Sequence, residues 1–218
     1  MYPLKITDKF GLRTLFIILT IILANSCSTS VNIYDENFKQ YLLTSKIIDS
    51  NGNGVLDSNI DINKNGKIEL NEAELILNLD ISDQNIYSLE GIDKFINIQT
   101  LNCSNNKLTK LYLNKNLKLE TLNCSQNKIN NLNLKTNIGV KELVCHSNEE
   151  LTQLDLSNNL SLEILKISGS GITKLDITKN NNLRIIECNS NPINNINVSH
   201  CVNLKNLSVN FTNINRVY

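Results

Sequence analysis

The chain has 218 residues, room for one ordinary domain and an export sequence. Its 21 basic residues balance 21 acidic ones, so no net field draws it to nucleic acid or to an anionic membrane surface. With no Trp, two Pro and two His there is little material for an aromatic ligand cage or a histidine metal cluster, and a composition led by Leu, Ile and Asn is that of stacked identical units.

Residues 1–26 read as an export signal. Lys5, Lys9 and Arg13 give a positive start, and Leu15 to Ala24 is an apolar run about half as long as a membrane-spanning helix needs. The adjoining Ala24-Asn25-Ser26-Cys27 resembles a bacterial lipoprotein signal, in which the cysteine is acylated and becomes the mature N-terminus. The aliphatic residue of that box stands one place early, at Leu23. Plain cleavage after Ser26 is the alternative, since Ala24 and Ser26 also satisfy a small-x-small rule.

Residues 27–78 differ in composition from residues 79–218 and are expected to cap them. Asp35 is placed to cap a short helix carrying Phe38, Tyr41 and Leu42 on one face. Two Asn/Gly-rich loops come next. Asp61 to Glu72 matches the EF-hand calcium loop, with oxygen ligands at positions 1, 3 and 5, Gly66 at 6, an apolar residue at 8 and a carboxylate at 12. Asp61, Asn63, Asn65, the Lys67 carbonyl, Glu69 and Glu72 are the candidate Ca²⁺ ligands, and two neutral amides among them predict modest affinity. The other reading is an Asn/Gly-rich turn. The preceding loop offers Asp49, Asn51, Asn53 and Asp57, but its twelfth position is Ile60, so it is the weaker candidate. The run from Glu72 to Leu79 is helix-prone.

From residue 79 the sequence repeats. Leu101-Asn-Cys103 recurs as Leu122-Asn-Cys124 and Leu143-Val-Cys145 at steps of 21, then as Leu165-Lys-Ile167 after 22, and as Ile186-Glu-Cys188 and Leu207-Ser-Val209 after 21 each. A weaker first copy starts at Leu79. Asn106, Asn127, Asn148 and Asn191 come at a fixed offset, with Gln84, Ser170 and Thr212 in the other turns. Leu-x-x-Leu-x-(Leu/Cys)-x-x-Asn-x-Leu at this period is the leucine-rich-repeat signature. It predicts an α/β-type solenoid: a right-handed coil with one parallel sheet, spanning residues 79–218 in about seven short turns, the last incomplete. Turns of 21 residues leave no space for a helix on the far wall, where extended or 3₁₀ segments are expected. The asparagines are expected to form a ladder on backbone groups. Cys103, Cys124, Cys145 and Cys188 share a slot with Ile81, Ile167 and Val209, so the slot asks for a small buried hydrophobe. Without a C-x-x-C pair or a histidine partner they make no zinc site.

The quoted motifs, IYDENFKQYLL, IDINKNGKIELNEA, LEGIDKF and the LNCSNNKLTKLYL repeats, resemble leucine-rich-repeat surface lipoproteins of Bacteroidota-type bacteria. That resemblance implies an exported protein at the outer membrane or cell surface, periplasmic or secreted otherwise, anchored by a lipid on Cys27 and binding a protein or glycan. In such a coil the outward strand residues form a concave face. Here the middle rows break a bland polar pattern, placing Val144, Ile164 and Ile185 beside His146, Lys166 and Glu187, a candidate contact site. The competing reading is that these are strand-forming residues serving the sheet. No Ser/His/Asp set, carboxylate pair in a cleft or phosphate loop can be assembled, so the chain reads as non-enzymatic. A structural envelope protein without a soluble ligand is the alternative to a binding module.

Overall fold

The computed structural model describes residues 29–48 and 56–213, and the backbone of 216–217. The expected signal segment with Cys27, the loop positions Asp49, Asn51 and Asn53, and Ile214 lie outside the described residues.

The cap begins with α1, Glu36–Thr44, whose first turn is closed by Asp35 accepting from the Phe38 amide at 3.0 Å. Phe38 and Leu42, four apart and so on one face, are fully buried. They close the first turn of the coil, and the Phe38 and Phe95 rings lie 6.3 Å apart. The helix-prone run yields only α2, Leu70–Ala73, which starts before Glu72 and stops early. The reason is downstream: Ile76 and Leu79 are 2% and 1% exposed, and placing both in the core requires the chain to straighten into the first strand.

Seven short strands then stack in parallel: β1 Asn78–Asp80, β2 Thr100–Asn102, β3 Thr121–Asn123, β4 Glu142–Val144, β5 Ile164–Lys166, β6 Ile185–Glu187 and β8 Asn206–Ser208. Between the last two in sequence comes β7 (Asn195–Ile196), which pairs in parallel with β9 (Arg216–Val217) as a second two-stranded sheet. Every strand of the large sheet is in register with the one before, so Leu79, Leu101, Leu122, Leu143, Leu165, Ile186 and Leu207 form one inward column. After each of β2 to β6 a single residue turns the chain through a left-handed conformation: Asn105, Gln126, Ser147, Gly169 and Ser190 at φ of 51°, 53°, 57°, 63° and 53°. The far wall is extended, with Leu111 bridged to Leu132, and its one described helical segment is a 3₁₀ turn at Ile92–Lys94.

Two asparagine ladders satisfy the backbone that this winding exposes. In the first, Asn127 Oδ1 accepts from the Leu108 amide at 3.0 Å while its Nδ2 donates to the Cys103 and Cys124 carbonyls at 2.9 and 3.2 Å. Asn106, Asn148 and Asn191 repeat the pattern, and Ser170 makes a single 3.4 Å bond in the turn that lacks the amide. The expected ladder is therefore present. A second ladder stands on the opposite wall, where Asn116, Asn137, Asn159 and Asn180 are all fully buried. Each Nδ2 donates to two carbonyls of the preceding turn at 2.9–3.1 Å, but each Oδ1 is buried without a partner. In the next turn Cys201 stands at the asparagine's place. Its thiol approaches the Asn180 carbonyl at 3.8 Å, and His200 Nε2 meets the Ile177 carbonyl at 2.7 Å, so two neighbouring side chains replace one amide.

Candidate functional site

Strand register fixes what the sheet presents. Glu142, Ile164, Ile185 and Asn206 form one row, and Val144, Lys166, Glu187 and Ser208 form the next. Ile164 and Ile185 are thus directly opposed on neighbouring strands, with Val144 diagonal to Ile164. All three are half-buried rather than fully exposed, because parallel strands only about 4.8 Å apart shield one another's flanks. Lys166 Nζ lies 3.3 Å from Glu187 Oε1 across the same two strands. His146 Nδ1 sits 3.1 Å from Ser147 Oγ on the exposed rim. The six residues singled out from the sequence are therefore contiguous: an aliphatic strip, an ion pair beside it and a histidine at its edge.

The positions just before β3, β4, β5 and β6 carry a row of charges that sequence reading missed. Glu120 pairs with Lys141 at 2.7 Å and Glu163 with Arg184 at 2.6 Å, the latter through two guanidinium nitrogens. The partners are one turn apart in sequence, at steps of 21, so opposite charge at that spacing was the available signal. The carboxylates and cations along this face neutralise one another turn by turn.

The acidic loop is tightly self-bonded. Asp61 Oδ1 and Oδ2 accept from the Asn65 and Gly66 amides at 3.0 and 2.8 Å, and Asn63 Oδ1 from the Asn65 amide at 3.0 Å. Asn65 Oδ1 accepts from the Lys67 amide at 2.9 Å. Gly66 holds φ at 76°, where a side chain would be strained. Asn63 and Asn65 both donate to the Glu69 carboxylate, at 3.2 and 2.7 Å. Glu72 folds back on the backbone, accepting from the Ile62 amide at 2.9 Å and the Glu69 amide at 3.0 Å. Burial pushes its carboxyl up to about 7, with Glu69 beside it adding to the shift. Its hydrogen bonding with Glu72 holds Glu69 below the usual carboxylate range, helped by Asn65 and Asn63. Asp61, Asn63, Asn65 and Glu69 are thus gathered around one turn. Glu72 faces the same loop from below, and among the described residues no three Asp, Glu, His or Cys side chains converge as a metal-holding group. Asp57 belongs to the strap that bridges Ile48 to Ser58, outside that turn.

Cys103, Cys124, Cys145 and Cys188 are completely buried and unpaired, and burial raises their thiols, to about 12 for Cys124 and about 11 for Cys188. A thiol held so far above neutrality is neither nucleophile nor ligand. These cysteines fill the core.

No family model and no curated relative matches the sequence. Solved structures do match. An internalin (inlF) from Listeria monocytogenes aligns at 17% identity with a TM-score of 0.61, over 88% of this chain and 62% of that one. A leucine-rich-repeat protein of Leptospira interrogans aligns at 21% and 0.63, over 69% of this chain and 41% of that one. The fold is a leucine-rich-repeat solenoid. Internalin C2 from Listeria monocytogenes has the same architecture at 18% identity and a TM-score of 0.57, over 88% of this chain and 93% of that one. The present solenoid therefore spans less than two thirds of the first two of these neighbours.

Proposed function

We propose that this protein is a non-catalytic binding module of the bacterial envelope, exported by residues 1–26, anchored through acylated Cys27 and displayed on the outer surface. Its concave sheet engages a protein partner, and a calcium ion on Asp61, Asn63, Asn65, the Lys67 carbonyl, Glu69 and Glu72 stiffens the cap. The observation that carries the reading is the strip of Val144, Ile164 and Ile185 beside the Lys166–Glu187 pair. Among the described residues it is the one aliphatic strip on a sheet whose other outward strand positions are polar or charged, and an apolar centre with a charged rim is the usual anatomy of a contact surface. The named leucine-rich-repeat neighbours support a role in binding through their shared fold. Among the described residues no helix is long and apolar enough to cross a membrane.

The acidic loop fits calcium by its donors: carboxylate, amide and carbonyl oxygens in one turn, with a Glu72 carboxyl that burial raises and that a cation would ionise and draw inward. The ion would supply rigidity and no chemistry. A structural envelope role is the second reading, and the mutual pairing of Glu120 with Lys141 and Glu163 with Arg184 favours it, since those charges are satisfied within the chain.

The test is photo-crosslinking from the sheet in intact cells, comparing the native chain with V144S/I164T/I185T. Captured partner should disappear in the triple variant while the thermal melt is kept. Capture that survives the triple variant moves the site off this strip, and absence of any captured partner supports the structural reading.

A further inference from the structure

Outside the sheet, the lateral wall that succeeds the first asparagine ladder is grooved at alternate turn junctions. The first groove, about 490 Å³, lies between turns one and two and has Tyr87 and Tyr112 among its walls. The next, about 330 Å³, is walled by Asn130, Asn133, Thr152 and Asp155. A third, about 370 Å³, is walled by Thr173, Asp176, Asn194 and Asn197. These are equivalent positions of the repeat at alternate turn junctions, so the three grooves line up along one wall as an interrupted trough of amide and hydroxyl groups.

We infer that this lateral trough binds an uncharged polysaccharide, with Tyr87 and Tyr112 stacking on sugar rings at its N-terminal end. The two phenols are 60% and 68% exposed, on consecutive turns, in a chain with only six tyrosines and no Trp. Leaving two rings in water over a groove forfeits apolar burial, and a sugar's C–H face is the kind of surface that recovers it while the phenol edge stays wet. Tyr87 is held in place: Lys107 Nζ bonds its hydroxyl at 3.0 Å and lies 4.9 Å from the ring centroid. The first groove carries Glu90 and Asp93 against Lys110 and Lys115, which balance, so no ionic ligand is favoured.

The walls further along are rigid before any ligand arrives. Asp176 Oδ1 accepts from the Thr178 amide at 3.0 Å and hydroxyl at 2.7 Å, and Asp155 Oδ1 accepts from the Ser157 amide at 3.0 Å while its Oδ2 lies 3.8 Å from Lys135 Nζ, so both carboxylates are held in place. A peptide would instead need apolar sockets for its side chains. The aliphatic residues of this wall, Leu111, Leu132, Leu154 and Leu175, turn inward and are 4–8% exposed. The trough is independent of the concave face, so either site stands if the other fails.

The test is native electrophoresis of the full chain through gels cast with xylan, laminarin or mannan, then titration calorimetry with the polymer that retards it most. At least one polymer should slow the chain, and the affinity should be unchanged between low and high salt, as for an uncharged ligand. Y87A/Y112A should weaken binding about tenfold at an unchanged melting temperature, through loss of two stacking contacts. Y87F/Y112F, which keeps both rings, should bind within a factor of about two or three of the native chain. V144S/I164T/I185T should bind as the native chain does. Retardation by none of the three polymers overturns the inference, as does binding that survives Y87A/Y112A. A lateral surface that instead crosslinks to a peptide partner through Tyr112 also overturns it.

Discussion

In the solenoid each buried ladder asparagine except Asn191 has a copy of itself one turn away; among the described residues of the cap, no polar group does. The Cys103 carbonyl receives both Asn106 and Asn127, and the Cys124 carbonyl both Asn127 and Asn148, so losing one rung leaves its neighbours partly bonded. Asp35 is singular. One of its oxygens caps α1 while the other accepts from the Tyr87 and Ser88 amides at 2.8 and 3.1 Å, fastening the cap to the first turn. The acidic loop likewise depends on Glu72 alone for its attachment to the Ile62 and Glu69 amides. Repetition spreads stability over many equivalent contacts and leaves outward residues free to vary. The cap concentrates it in a few groups, which makes it the place where a bound ion has leverage.

The largest expected effect breaks the repeat itself. Asn127→Ala leaves the buried Leu108 amide without an acceptor and opens a small cavity, at a cost of about 3 kcal/mol. Asn137→Ala, on the opposite wall, also removes the unpartnered Oδ1 and should cost about 1 kcal/mol. Chemical denaturation of the two variants checks the ranking, and equal losses would mean that the two ladders are energetically alike.

Calcium tests the contrast from the cap side. At about 100 times its dissociation constant the ion should add about 2.7 kcal/mol, or roughly 5–10 °C in melting temperature. A melt unchanged by EDTA removes the ion from the cap. Glu72 sets the pH dependence of the calcium-free protein. Its folded carboxyl, at about 7, lies above its ordinary value, so its protonated form favours the fold. That contribution is complete below the ordinary glutamate range and is lost as pH rises through 7. In chelator the melt should therefore rise as pH falls from 8 to 6, and the calcium increment should be smaller at 6, because the ion needs the carboxylate. A chelated melt that falls over that interval contradicts this assignment.

Asp35→Ala should cost about 2 kcal/mol, combining a lost helix cap with the two amides of the first turn. It should raise hydrogen exchange in α1 and the first turn while leaving β4 to β6 protected; uniform loss of protection would show that cap and coil unfold as one unit. The smallest effect is a gain. Phe211 is 89% exposed in the left-handed conformation, at φ 53°, where the equivalent turns use Asn, Gln, Ser or Gly. Phe211→Asn should stabilise the last described turn by about 1 kcal/mol, and a lower melting temperature would contradict that strain.

The solenoid was legible because its constraint repeats. A Leu and a Cys that recur at one spacing must share one environment, and Leu122 and Cys124 need no further information to be placed inside. The second ladder was missed for a physical reason: Asn116 and Asn137 lie among many other asparagines, and only their common step, with buried leucines on either side, separates them from surface polar residues. Cys201 is that ladder's substitute. The cap was legible in its helix, but not in its junctions. Asp35 reaches residues more than 50 positions away, and no local pattern announces that. On the sheet face the residues could be named from alternation, while their partial burial and the Lys166–Glu187 pairing depended on register.

Protease shaving of intact cells, with detection of the repeat region afterwards, decides where the solenoid works. An exported, lipid-anchored solenoid that meets its partner outside the cell predicts loss of the repeat signal while a periplasmic marker is spared. A solenoid that survives shaving yet remains in the membrane fraction would contradict that placement and make a structural role inside the envelope the better reading.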